Sequence, residues 1–330
     1  MGVWAGLLLT IAMLPSSADK LSRPFSAARL IVAKKAVPLG PWAQTMIVDQ
    51  RLKLTGAWEI TSGVRGFGGL SAVLLARGEL LFLNDGGALV RLHGAPDAAI
   101  SRGIIAPLPG ACGESWRPGD RDTESMALTP DRRGLRVGVE GSNSLCVLDY
   151  ARPTAGTRFS PPPMRDWRLN SGAESMAMLA GRAMVIIAEG TTDKRGVRVM
   201  LWYAGDPADP ATPLIKMLYR PPPGYSPTDA AFLPDGRLLV VNRAIASPVS
   251  FPGKLMLVPA FAPAKGMIVT GSLLAQIDDP AISDNYEGIA VAPTQGGATI
   301  WLVSDNNFSA MQRNMLLRFT FSEKPNRAKP

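Results

Sequence analysis

Acidic residues recur at near-regular intervals along this chain. The segments "DTESMAL" from position 122, "GAESMAM" from 172, "PTDAAFL" from 227 and "NYEGIAV" from 285 each join an acidic residue to small and apolar ones, Ala among them. Their anchors Glu124, Glu174, Asp229 and Glu287 lie 50, 55 and 58 residues apart. A weaker copy, "GGLSAVL", puts Gly69 at the anchor, 55 residues before Glu124. Downstream of each anchor a second apolar run ends in a polar residue: "ELLFLND", "LRVGVEG", "AMVIIAEG", "RLLVVNR" and "TIWLVSD". Four of these runs add the carboxylates Asp85, Glu140, Glu189 and Asp305, while "RLLVVNR" ends in Asn242 and Arg243.

Brought together, these carboxylates have two kinds of chemistry open to them. A positioned carboxylate takes or gives a proton as general base or acid. A group of them holds a hard cation such as Ca2+, which accepts carboxylate, amide-carbonyl and water oxygens. Glu287 and Asp305 are the candidate catalytic carboxylates, and Glu124, Glu174, Asp229, Asp85, Glu140 and Glu189 the candidate metal ligands. Arg243 and Arg313, with Asn306 and Asn307, would hold an anionic or ester substrate, because the arginine fork matches phosphate and carboxylate. The plainer reading keeps the same residues as ties between neighbouring repeats, since ion networks are often structural. Gly69 also reads two ways, as a gap that admits ligand or as a repeat packed without a carboxylate.

The elements that must position these residues are short strands. The runs are rich in β-branched and large apolar residues and bounded by Gly, Pro, Asn and Asp, as buried strands are. No segment past the N-terminus shows a long 3.6-residue periodicity. A period of roughly fifty residues carrying several strands marks a propeller blade, four antiparallel strands packed radially around a channel. The expectation is an all-β propeller of five blades, or six if the N-terminal segment holds more than one strand. The last blade runs into the polar tail "SEKPNRAKP", so its fourth strand is expected from "TMIVDQRLKLTGAWEI", closing the ring and hiding both edges. First strands begin, and second strands end, at the same face, so both sets of carboxylates would line one mouth of the channel.

Other chemistries lack their residues. His93 is the only histidine and lies on a run expected to be a third strand, away from the mouth. A Ser-His-Asp triad would have to use it, and no G-x-S-x-G elbow occurs. Zinc sites of His and Cys need a larger inventory. "GVRGFGGL" is too loose for a dinucleotide fingerprint and there is no Walker loop. The formal charge of +8 attracts anions, yet the basic residues are scattered without the aromatic-interleaved stripe of a nucleic-acid groove.

The first eighteen residues, "MGVWAGLLLTIAMLPSSA", hold an apolar stretch followed by Pro15 and the small residues Ser16 and Ala18, the pattern of a signal peptide cleaved after Ala18. No later stretch is long and apolar enough for a membrane span. The expected organisation is a signal peptide over 1–18, an extension over 19–41, one domain over 42–322 and a polar tail over 323–330, in the periplasm or outside the cell. Cys112 and Cys146 form either a disulfide or two buried small hydrophobes in that setting. Oligomeric state is not encoded in any of these features.

The segment "DNYEGIAVAPTQGGATIWLVSDNNFSAMQRNMLLRF" resembles the C-terminal signature of the exported bacterial family called esterase-like activity of phytase, or phytase-like. The blocks "GFGGLSAVLLARGELLFLNDGG", "DTESMAL", "GAESMAML" and "PTDAAFLPDGRLLVVNR" fall in that family's order, so the resemblance spans about residues 42 to 322. It implies a propeller-like exported protein whose family name points to hydrolysis of a phosphoester or carboxyl ester. Two places depart from the family's pattern. Asp85 is followed by Gly86 and Gly87 where Arg-Gly is usual, and "VEGSNSL" stands where basic and aromatic residues follow Glu140. Three functions are consistent with the residues: a metal-assisted hydrolase, a non-catalytic binding propeller for an anionic ligand or envelope partner, and a calcium propeller acting on lactones or sugar acids.

Overall fold

A computed structural model describes residues 26–112, 121–168, 172–179, 182–192, 195–247 and 250–323. The expected signal peptide lies outside the described residues. β1 (Ala28–Ala36) and β2 (Leu52–Thr61) come first, separated by a single helical turn over Trp42–Thr45. Four-stranded meanders follow: β3 (Leu70–Ala76), β4 (Glu79–Asn84), β5 (Ala88–His93) and β6 (Ile100–Pro107), then β7 (Thr123–Leu128), β8 (Gly134–Val139), β9 (Ser144–Asp149) and β10 (Gly156–Phe159). Next are β11 (Ala173–Leu179), β12 (Ala183–Thr192), β13 (Arg198–Tyr203) and β14 (Leu214–Arg220), then β15 (Ser226–Phe232), β16 (Leu238–Arg243) and β17 (Gly253–Val258). β18 (Ile268–Thr270) leaves that unit to pair in parallel with β14, and β19 (Ser272–Ile277) returns as its outer strand. The last three are β20 (Asn285–Thr294), β21 (Gly297–Asp305) and β22 (Met315–Ser322).

Closure comes from the N-terminal segment, as the missing fourth strand required. β2 pairs antiparallel with β22, with Ala57 opposite Leu317, so a strand from the N-terminal segment completes the last meander. Trp58 of β2 stacks on Trp301 of β21 across this seam, with ring centroids 5.9 Å apart. The chain is an all-β propeller: β3 packs beside β7, β7 beside β11, β11 beside β15, β15 beside β20, and β20 beside β3 again.

One strand lies in the region expected to be an extension. β1 pairs with β2 on one side and with β6 on the other, joining the outer edges of the first and last meanders into one nine-stranded sheet. An outer strand otherwise presents unpaired N–H and C=O groups, and β1 covers two such edges at once.

Apolar residues from facing sheets fill the wedges between meanders, for example Val137, Cys146 and Leu81 in one wedge and Val185, Tyr219 and Val240 in another. Cys112 and Cys146 are joined in a disulfide that pins the turn after β6 to β9. No helix of the described residues is long and apolar enough to cross a membrane.

Candidate functional site

Each innermost strand carries a register shift at its start. The pairing skips between Leu70 and Ala72, Thr123 and Ser125, Ala173 and Ser175, Pro227 and Asp229, and Tyr286 and Gly288. The residues passed over are Ser71, Glu124, Glu174, Thr228 and Glu287. A bulge sets two residues against one and re-aims a side chain that the pleat would otherwise send into the wedge. Three of these five positions carry glutamate, and these three converge at one mouth of the channel.

The second strands deliver the rest. Glu140 follows β8, Glu189 lies within β12, and Asp85 and Asp305 stand at the ends of β4 and β21. These carboxylates feel one another: Glu287 acts on Asp85, Glu124, Glu174 and Asp305, and Glu174 bonds Glu140. Seven of the eight expected carboxylates thus form one cluster, Asp85, Glu124, Glu140, Glu174, Glu189, Glu287 and Asp305.

The eighth member is Asp122, which the sequence reading missed. It bonds Glu124 and acts on Asp85, Glu140 and Glu287. Its signal was present: Asp122 and Asn285 stand two residues before Glu124 and Glu287, and Asn285 also belongs to the site.

Burial dominates the electrostatics. It pushes Glu140 up to about 7, with the nearby Asp122 charge adding to it and the Glu174 and Gly172 hydrogen bonds opposing it. Asp85, Glu124, Glu174 and Asp305 are raised well above the carboxylate range, first by burial and then by neighbouring carboxylates. Glu287 is raised less, because Arg243 and Asn285 oppose its burial.

Arg243 fills the position at which β16 ends without a carboxylate. One Nη donates to Asn285 Oδ1 and Glu287 Oε1, both at 2.6 Å, and the other to Glu189 Oε1 at 2.8 Å. Burial works against its charge, but Glu287 and Glu189 hold the guanidinium protonated above its ordinary range.

Three expected site residues are used elsewhere, and Asn307 is held beside Asp305. Asp229 sits one residue past the bulge, and its carboxylate accepts N–H groups from Ala230 at 2.8 Å, from Ile289 at 2.9 Å and from Met176. It therefore ties the inner edges of β11, β15 and β20 rather than joining the acidic cluster. Arg313 is spent on Asp284 and on the carbonyls of Ala281 and Ser283, clamping the loop before β20. Asn306 accepts the Gly69 N–H at 2.9 Å, binding the last meander to the first, and Asn307 donates from its backbone N–H to Asp305 Oδ1 at 2.6 Å. Gly69 leaves no gap. A Cβ there would lie 2.3 Å from Asp85 Oδ1 and 2.4 Å from the Phe308 ring, so the first meander is packed shut.

Oxygens of Asp122, Glu124 and Glu140 lie within 4.8 Å of one another, a spacing that suits a metal ion. Asp85 Oδ1 is buried with no hydrogen-bond partner among the described residues, an acceptor whose need a proton or cation would meet.

The family model described as "Phytase-like: Esterase-like activity of phytase" matches residues 65–308. The chain belongs to that family. The match spans every carboxylate of the acidic mouth, from Asp85 to Asp305. Among curated proteins none matches the sequence of this phytase-like chain. Among solved structures it is similar to a luciferin-regenerating enzyme, at 12% identity over 91% of this chain and 100% of that one, with a TM-score of 0.45. It is similar also to the Myxococcus xanthus glutaminyl cyclase, at 14% identity over 82% and 97% of the two chains, with a TM-score of 0.45. A putative 6-phosphogluconolactonase from Bacteroides uniformis shares 14% identity over 80% of each chain, with a TM-score of 0.41.

Proposed function

We propose that the acidic mouth is the active site of a metal-assisted hydrolase that cleaves a phosphoester or carboxyl ester, with Ca2+ as the cation. The observation that carries this reading is the convergence of eight carboxylates at one mouth, two of them held by Arg243 and three others spaced to share an ion. Asp122, Glu124 and Glu140 would hold the cation. Bound there, it would supply positive charge for an anionic substrate and acidify an attacking water.

The chain's own residues divide the proton work. Burial raises Glu287 while Arg243 and Asn285 oppose the rise, which suits a general base. Asp305 is raised well above the carboxylate range by burial and by the nearby Glu287 and Asp85, which suits a general acid toward the leaving oxygen. Arg243 orients Glu287 and offers charge to a substrate oxyanion.

The disulfide supports an oxidising compartment and so the reading of the first eighteen residues as a signal peptide, with the mature chain in the periplasm or outside the cell. The test is hydrolysis of aryl phosphates, inositol phosphates, aryl esters and lactones by the mature chain, with Ca2+ and with chelator. Turnover that chelation removes supports the hydrolase. No turnover across the panel moves the acidic mouth to the alternative, a binding propeller.

A further inference from the structure

The repeat contains a feature that the acidic site does not use. Three residues after each bulged position stand Ala127, Ala177, Ala231 and Ala290, with Leu74 in the first meander. All five line one cavity of about 310 Å³ inside the ring of inner strands. Inner strands lie closest to the channel axis, and small side chains at matching heights keep that space open.

The cavity lies down the channel from the acidic mouth. Its other walls include Met126, Met176, Met178 and Phe232, and it reaches Pro234 and Pro293 at the far ends of their strands. The Asp229 carboxylate, bonded to the inner edges of three neighbouring strands, stands between the two regions. At a strand rise of about 3.3 Å per residue, Pro293 lies about 20 Å along the strand from Glu287.

Charge at this far end is reversed. The turns from first to second strand carry Arg77, Arg132, Arg133, Arg182 and Arg237, against the carboxylates Asp131 and Asp235. Arg237 is paired with Asp235, and Arg77 is occupied by the Arg132 carbonyl and the Tyr150 ring. Arg132 is exposed and lines the cavity itself.

We propose that this far end is a second ligand site, which takes an anionic amphiphile: a single acyl chain enters between the alanines and methionines, and its carboxylate or phosphate head stays at the rim on Arg132. The volume falls in the range of about 300–1,000 Å³ that small-molecule pockets occupy. Methionine lining adapts to an unbranched chain, and arginine supplies the planar fork for the head. The site is independent of the hydrolase reading, because it lies beyond Asp229 and needs no cation.

The experiment is a calorimetric titration of the mature chain with decanoate, decanol and decyltrimethylammonium, in chelator. Decanoate should bind saturably and at least about tenfold more tightly than the other two, the difference of one charged contact. Ala231→Trp, which fills the cavity, should abolish binding. Arg132→Asn keeps a residue that tolerates the left-handed backbone there and should weaken decanoate about tenfold while leaving decanol unchanged. Decyl phosphate separates the two head groups. Absence of saturable binding by wild type, or equal affinity for the three heads, overturns the proposal. So does unchanged decanoate affinity in folded Arg132→Asn. Should Ala231→Trp fail to fold, Arg132→Asn and the head-group comparison decide the matter.

Discussion

Arg243 and Glu287 meet at 2.6 Å inside the mouth, although they come from different meanders and lie 44 residues apart. The same guanidinium reaches Glu189 at 2.8 Å, so one cation spans three consecutive meanders. Replacing it with Gln should leave the largely buried Glu287 and the half-buried Glu189 without a charge partner. Breaking a buried pair this way costs about 3–5 kcal/mol. Urea unfolding of Arg243→Gln at neutral pH should show a loss of that order, shrinking as acid protonates Glu287.

The acidic mouth also dictates how stability depends on pH. Asp85, Glu124, Glu174 and Asp305 are raised in the folded chain, and Glu140 is raised to about 7. A raised carboxylate binds its proton more tightly when folded, so its contribution is fully present below the unfolded value and is lost as pH rises through the folded one. Cation-free protein should therefore lose melting temperature between about pH 5 and pH 8. Ca2+ competes with those protons and should restore stability at the upper end while changing little at the lower. Thermal melts at both pH values, with chelator and with Ca2+, check the sign.

Asp122 and Asp229 separate the site from its scaffold. Asp122→Asn should weaken Ca2+ binding at least about tenfold, since ligand charge tunes such sites, and leave stability in chelator unchanged or higher because one of the crowded like charges is gone. Asp229→Asn removes an acceptor from backbone N–H groups on three strands and should cost about 1–3 kcal/mol. Its Ca2+ affinity should match wild type. Paired calorimetry and chemical denaturation distinguish the two behaviours.

Gly69 is a packing position. Its φ of +60° lies in the left-handed region, and an added Cβ meets both Asp85 and Phe308. Gly69→Ala should destabilise by about 2 kcal/mol or more from backbone strain and overpacking together. If the variant is neutral and ligand entry is faster, the gap reading returns.

Much of this was legible because propeller repeats write their geometry into spacing. The anchors near Glu124, Glu174 and Glu287 marked the inner strands, and the paired runs ending at Asp85, Glu140, Glu189 and Asp305 marked the return. The departures from the expected arrangement have physical causes. A bulge counts two residues as one, so Thr228 and not Asp229 holds the equivalent place, and the carboxylate one step on turns toward backbone N–H groups. Asp122 was overlooked because its neighbour Glu124 fitted the motif. Arg313, Asn306 and Asn307 stand in the right loop, but loop carbonyls and amides claim them first. β1 hid in the extension because "ARLIVAKKA" alternates for only part of its length and its partners β2 and β6 are distant in sequence.

The proposed hydrolysis at the acidic mouth requires both a cation and Asp305 as proton donor. The most direct measurement is turnover of aryl phosphates and aryl esters by wild type and Asp305→Asn across a Ca2+ titration, with circular dichroism on the same samples. Turnover should rise with Ca2+, vanish in chelator, and fall about a hundredfold or more in a folded Asp305→Asn. Turnover indifferent to chelator and to Asp305→Asn, or none at any Ca2+ concentration, would contradict it.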